Sequence, residues 1–324
     1  MRATVNNCKD EQILKELCSV FEKPLVQAEI NHLIEDASSM DEAYDILCKH
    51  YNIAQKTAEF IMNMTFSHFY SLNYQKVKEA HESFISRDVK SDAASKLLEA
   101  QKQIQNRIDE RAKEVGLYRE GDYEPIYDGI YYKDAGLYLN SKMRIMWVLK
   151  EPYDDEYEDG EPCGGGWNYF DCFEPELSPW KIRTWKNMIY TTYGILNGQN
   201  MIDMFYIEDK PEMADVLKQI ACINLSKMPG HTTTDNSLLP QYYETWKDIL
   251  LDQIKLYAPQ VIVFGNTFQF FKEDLFKGSI ITPKLIDGIT QLYIKDGIKY
   301  IDAYHPQCRI SRDKYVDSIV NCIL

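Results

Sequence analysis

Ile145-Met146-Trp147-Val148-Leu149-Lys150-Glu151-Pro152-Tyr153 is the stretch that decides the fold. It opens with an unbroken apolar run and closes on a carboxylate, a proline and an aromatic ring. An apolar run without alternation predicts a strand buried on both faces, as in parallel sheets covered by helices. The neighbouring sequence supports this. Met143–Leu149 reads as the strand, and Pro179–Leu196 as a helix with Ser178 as its N-cap and proline in its first position. Ala221–Leu225 and Val261–Phe264 read as two more strands, the latter stopped by Gly265-Asn266. Leu239–Tyr257, ending before Pro259, and Thr267–Phe276 read as helices. Gln291–Ile294 and Tyr300–Ala303 pair around Lys295-Asp296-Gly297, and Ser311 caps a last helix running to Leu324. Strand–helix alternation predicts an α/β domain over residues 117–324. The expected form is a three-layer αβα sandwich with a short central, mainly parallel sheet of about four strands.

Residues 1–116 read differently, as an all-helical N-terminal domain or arm. Ile13, Leu14, Leu17, Val20 and Phe21 recur at helical spacing, as do Tyr44, Ile46, Leu47 and Tyr51. Residues 88–114 are polar, with a sparse stripe of Leu97, Leu98, Ile104 and Ile108, which suits a long exposed or paired helix. Gly116 is placed to cap its C-terminus. The segment from Tyr51 to Met64 is similar to a helical motif in the A subunits of type II DNA topoisomerases, where it leads into a coiled coil. An ordinary amphipathic helix pair is the simpler reading. His32, His50, His68 and His81 stand at helical positions without ligand spacing and read as surface or packing residues. This half carries no evident chemistry; it is expected to bind a protein partner or to form a homodimer.

Bulk properties restrict the function. The 324 residues are 45% hydrophobic and 27% charged, ordinary values for a globular protein. No apolar run approaches the roughly 18 residues of a membrane span, and Met1–Asn7 has no secretory apolar core, so no membrane contact and a cytoplasmic location are expected. The eight cysteines form no C-x-x-C pair and are expected to be free thiols. No metal or other cofactor is expected. A net charge of −14 argues against a broad electrostatic grip on nucleic acid, though a narrow basic groove remains open. Much of the acidity is local: Glu151, Asp154, Asp155, Glu156, Glu158, Asp159 and Glu161 form a run that is either a solvated loop or a divalent-cation site.

In parallel sheets ligands bind beyond the carboxyl ends of the strands, and the polar motifs stand there. They are Lys150-Glu151-Pro152-Tyr153, the stretch from Asn224 through Lys227 to His231, Gly265-Asn266-Thr267, and His305-Pro306-Gln307-Cys308-Arg309. Between the first two lies Gly164-Gly165-Gly166, followed by Trp167, Tyr169, Phe170 and Phe173. The glycines lack the lysine of a phosphate loop and read as a flexible loop. Trp180 and Trp185 read as core. His231 faces either the pocket or a surface turn.

This ordered set, over roughly 180 residues, resembles the uracil-DNA glycosylase superfamily: an acid before Pro-Tyr after a strand, an aromatic residue further on, an Asn ending a middle strand, and a late His-Pro. The resemblance implies a DNA-binding hydrolase of base-excision repair that breaks the N-glycosidic bond of a flipped-out uracil or modified base. Glu151 would activate water or stabilise the sugar cation, and His305 would hydrogen-bond a base carbonyl. Asn224 would read the base edge, and Tyr153 would wall the pocket while a ring such as Trp167 or Phe170 stacks on the base. Lys227, Gly265, Asn266 and Arg309 complete the substrate-binding set. The chain departs from the pattern in having Glu151 in place of aspartate and Gln307 in place of serine after His-Pro. It also has no clear wedging leucine, so that Arg309 or Ile310 would have to serve. Two alternatives stay open: a catalytically altered relative that binds nucleic acid, a nucleotide or a protein, and a metal-dependent hydrolase using the 151–161 carboxylates. A basic groove of Lys150, Lys181, Arg183, Lys227 and Arg309 would favour the glycosylase; an acidic, closed mouth would favour the altered relative.

Overall fold

The computed structural model describes residues 5, 8–23, 26–35, 37–64, 69, 72, 74–173 and 177–324, except for the side chains of 74 and 81–91. His68 and the side chain of His81 therefore lie outside the described residues. Contacts divide the chain into two units, Met1–Asp92 and Ala93–Leu324. None of the described helices is long and apolar enough to cross a membrane. All eight cysteines are free.

The first unit is helical. It contains α1 (Glu11–Phe21), α2 (Val26–Ile34), α3 (Met40–Tyr51), α4 (Gln55–Met62) and the start of α5 (Tyr74–Glu114). Asp10 caps α1 and Ser39 caps α3, each accepting backbone N–H bonds of the first turn. Ala54 cannot cap α4. Glu16 of α1 does so instead, accepting from the Ala54 N–H at 2.9 Å and the buried Thr57 hydroxyl at 2.6 Å. Leu14, Leu17, Val20, Leu47, Ala58 and Val77 form the core. His50 pairs with Glu29 and His32 with Glu35, both near the surface.

The contact boundary falls inside α5, although the sequence pattern changes only near residue 116. The reason is the sparse stripe: Leu97, Ile104, Ile108 and Ala112 are buried in the core of the second unit. Arg107 adds bonds to Asp252 (2.7 Å) and Asp248 (3.1 Å) on the helix Leu239–Tyr257. Gly116, at φ 73°, ends α5 in the Schellman arrangement: its N–H reaches Lys113 O, and Leu117 N–H reaches Ala112 O.

The second unit holds β1 (Gly129–Ile130), α6 (Ala135–Leu139), β2 (Ile145–Leu149), β3 (Asp155–Glu156), β4 (Pro162–Cys163), α7 (Arg183–Asn197), β5 (Ala221–Asn224), α8 (Leu239–Tyr257), β6 (Val261–Gly265), α9 (Phe268–Phe276), β7 (Lys284–Ile286), β8 (Thr290–Lys295), β9 (Ile298–Ala303) and α10 (Arg312–Val320). The main sheet has seven strands in the order β1-β5-β2-β6-β9-β8-β7. β5, β2, β6 and β9 run parallel. Antiparallel β1, β8 and β7 widen the sheet beyond the expected four or so strands. β1 has two residues and β7 three, too few to show periodicity in sequence. Asp296 and Gly297, both at positive φ, make the tight turn between β8 and β9.

β2 is buried on both faces, as its sequence requires. Trp147 and Leu149 pack with Met188 and Ile189 of α7 and Val316 and Ile319 of α10. Met146 and Val148 pack with Trp246 and Leu250 of α8 and Phe268 and Phe271 of α9. Each such side chain contributes about 1.5–3 kcal/mol on burial. Pro179–Lys181 is a separate 3-10 turn before α7, because Ile182 between them is extended; Ser178, at φ 47°, makes no capping bond. Ser311 likewise makes none to α10. Along the parallel strands the chain order is second, first, third, fourth, so loops diverge from the carboxyl ends of β2 and β6. A sheet wound this way opens a crevice at that point.

Candidate active site at the strand ends

A cavity of about 330 Å³ opens at the carboxyl ends of the strands. Leu149 to Tyr153 enter it from β2, and His305 and Gln307 from beyond β9. His231, Thr232 and Thr234 come from the segment after β5. Ile182, Thr184 and Trp185 come from the start of α7, and Trp167, Tyr169 and Cys172 from the segment after the glycines. Glu151 and His305, from strands separated by β6, share this one cavity. Gly265 ends β6 between them and supplies space: a Cβ there would lie 3.0 Å from Leu149 and 3.1 Å from Pro306.

Glu151 is held against Gly230, where a Cβ would fall 2.4 Å from the Glu151 carboxyl carbon. Burial pushes its carboxyl above the ordinary glutamate range, while a hydrogen bond from Thr234 and the charges of His231 and Lys150 pull it back. Glu151 Oε1 is buried and has no hydrogen-bond partner among the described residues. Buried carboxylate oxygens are normally satisfied, so an orphaned one on a cavity wall makes Glu151 a candidate site residue. Burial, and then Lys150, push the His305 imidazole down to about 4. It is therefore neutral at neutral pH. The Gln307 N–H donates to His305 Nδ1 at 3.2 Å, which assigns the ring proton to Nε2. His305 is thus a neutral donor. Burial pushes the Cys172 thiol to about 11, so it is protonated and no nucleophile at neutral pH.

The glycine run is pinned, not flexible. All three glycines have positive φ, and a Cβ on Gly165 would lie 1.8 Å from the Glu124 carbonyl oxygen. Gly164 and Gly166 donate to Asp122 O and Pro125 O. Asp154 accepts from the Gly165 N–H (2.6 Å) and Trp167 Nε1 (2.9 Å), which fixes the Trp167 ring at the cavity. Gly165→Ala should cost at least about 2 kcal/mol, since strained φ alone costs about 1–3 kcal/mol. A thermal melt checks this, and an unchanged midpoint would disprove the tight fit. The acidic run is likewise structured. Asp155–Glu156 pairs with Pro162–Cys163, and Glu156 accepts from the Thr232 N–H (2.7 Å) and hydroxyl (2.6 Å). Among the described residues no group of three or more His, Cys, Asp or Glu could hold a metal ion.

Other expected site residues lie elsewhere. Lys227 is fully enclosed: its Nζ bonds both Asp128 oxygens (2.9 and 2.8 Å) and Gln253 Oε1 (2.8 Å), so it holds the core together and meets no ligand. Asn224, paired with Leu149 in the sheet, is also buried; its N–H donates to Asp128 Oδ2 at 2.7 Å, and it does not line the cavity. Phe170 is fully buried among Tyr131, Tyr169 and Phe173. Asn266 and Arg309 are exposed outside the cavity, whereas Tyr153 lines its mouth. The five expected basic residues form no single groove, because Lys150 faces this cavity, Lys181 and Arg183 another, and Lys227 the core. Trp185, read as core, is packed against Tyr169 and Phe173 yet also walls the cavity. Helical spacing signals its burial, not the cavity beside it. No family model matches the chain, and no curated protein matches it in sequence.

Proposed function

We propose that this chain is a DNA glycosylase-like hydrolase on a three-layer αβα domain, acting on a flipped-out uracil or modified base. The observation that carries this reading is the pairing, in one aromatic-walled cavity, of an unpartnered Glu151 carboxylate oxygen with a neutral His305 donor. Breaking an N-glycosidic bond builds positive charge on the sugar and negative charge on the leaving base. A carboxylate answers the first, and a preorganised donor the second. Glu151 takes a proton from water as its oxygen bonds to the sugar carbon; the C–N electrons leave with the base, held at a carbonyl by His305 Nε2–H. Trp167, Tyr169 and Trp185 offer stacking surfaces, and stacking returns about 1–3 kcal/mol per base against the unstacking cost. With Asn224 buried outside the cavity, the polar groups available to the base edge are Gln307, His231 and Thr234.

The two clusters packed on opposite faces of β2 support the three-layer arrangement. A second reading, a relative that binds nucleic acid without cleaving it, is favoured by the burial of Asn224 away from the cavity. A base-release assay on single- and double-stranded oligonucleotides carrying varied bases separates them. The expected result is release of free base by the wild-type chain, undiminished by a chelator. Binding of every oligonucleotide without any release would replace the first reading with the second.

A further inference from the structure

We propose that a second cavity beside the first binds a phosphate of the same nucleic acid strand, an inference that rests on the base pocket proposed above. This cavity, about 510 Å³, is lined by Lys181, Arg183, Lys186 and Arg312, with Trp180 and a single acid, Glu208. Four cations against one anion is a strong local excess in a chain of net charge −14. Glu208 is committed to an ion pair with Lys186. Arg183 spends one N–H on Ile310 O at 3.0 Å. Arg312 lies over the Tyr190 ring at 5.3 Å, and its Nε is buried without a hydrogen-bond partner among the described residues. Lys181 is exposed and makes no ion pair among the described residues. Folded proteins rarely leave a buried donor unmet without reason. Guanidinium groups, with their planar fork of donors, match phosphate oxygens.

The two cavities share a wall. Along one short segment Lys181 and Arg183 line the basic cavity, while Ile182, Thr184 and Trp185 line the base pocket. Asn187 Nδ2 donates to Pro306 O at 2.5 Å, tying that wall to the strand end that carries His305. A phosphate in one cavity and a base in the other therefore suit neighbouring parts of one strand. Exposed apolar side chains favour a strand over a free phosphate. Ile202, Phe205 and Tyr206 are 91%, 62% and 68% exposed, just before Glu208, and Lys210 sits over the Phe205 ring. Cations interleaved with surface rings are how single strands are held without sequence preference.

The test uses fluorescence anisotropy of a fluorescein-labelled single-stranded oligothymidylate across a salt series. Its bases are ordinary, so base release is not read. Wild type should bind, with affinity falling as salt rises. Lys181→Gln/Arg183→Gln, at surface positions that keep the fold, should weaken binding roughly tenfold at low salt. Each lost phosphate contact should reduce the salt slope by about 0.7, and Arg312→Gln should do the same for its own. Orthophosphate or thymidine monophosphate at equal phosphate concentration should not displace the oligonucleotide. No wild-type binding, or a slope indifferent to Lys181 and Arg183, overturns the proposal. Equal competition by the free nucleotide overturns the commitment to a strand. A chain that binds through these residues yet frees no base fails the glycosylase reading alone. A chain that frees base with an unchanged slope in the variants fails this one alone.

Discussion

Lys227→Met should lower the melting temperature of the α/β unit by roughly 10 °C, the largest stability loss expected of any single substitution here. Lys227 is among the largest fully buried side chains, and its ammonium sits against both oxygens of an equally buried Asp128. Methionine fills the volume but removes the charge, leaving Asp128 buried with the Gln253 amide, the Asn224 N–H and a long 3.5 Å contact from Asn224 Nδ2 for support. Breaking a buried ion pair on one side costs about 3–5 kcal/mol. In a domain of this size each kcal/mol moves the midpoint by about 2–4 °C. Lys227→Met/Asp128→Leu removes both charges and should recover most of the loss, because well-packed apolar pairs often replace buried ion pairs at little cost. Recovery stays incomplete, since the Asn224 N–H then loses its acceptor. Calorimetry of the single and double variants measures the coupling. A single variant as stable as wild type, or a double variant no better than the single, would show that the pair does not hold the domain.

Lys227 also shows which features the sequence makes legible. β2 and α8 declare themselves, because an unbroken apolar run and a long amphipathic period are local patterns. Glu151 and His305 follow from topology, since parallel strands bring their carboxyl ends to one edge whatever the separation along the chain. Asn224 and Lys227 stand at the same edge, but their orientation is set by Asp128, 96 and 99 residues earlier in an irregular segment. No local pattern announces that partner. The glycine run looks mobile in sequence; Glu124 and Asp154, which fix it, are brought in by loop packing. The basic cavity needs Arg312, near the end of the unit, beside Lys181 and Arg183 from its middle. The sparse stripe of α5 suggested an exposed or paired helix; burial of Leu97, Ile104, Ile108 and Ala112 in the core of the second unit fixes the end of α5, with ion pairs to Asp248 and Asp252 at its edge.

Glu151→Gln should reduce base release by about 10²–10⁴-fold, the range a positioned acid–base group supplies, while leaving the melting temperature unchanged or raised. The two halves of this prediction belong together. The Glu151 oxygen is buried without a partner, so its charge costs stability in the resting protein. A neutral amide of nearly the same shape removes that charge, as often happens when a strained functional group is replaced. A carboxylate with a purely structural role would show the reverse, a lower melting temperature and unaltered release. His305→Ala should cost about 10²–10³-fold by loss of one preorganised donor. The double variant should be little worse than the more damaged single, because the groups act in one step. The pH profile distinguishes their roles. Glu151 must be ionised to accept a proton, and burial raises its pKa; release should therefore fall on the acid side with an apparent pKa above 4.5, the ordinary glutamate value. His305, at about 4, protonates only below that limb and donates in its neutral form throughout the working range. Removing Glu151 should abolish the limb, and removing His305 should leave it in place at a lower rate. A limb that survives in Glu151→Gln would move the general base to another residue of the cavity.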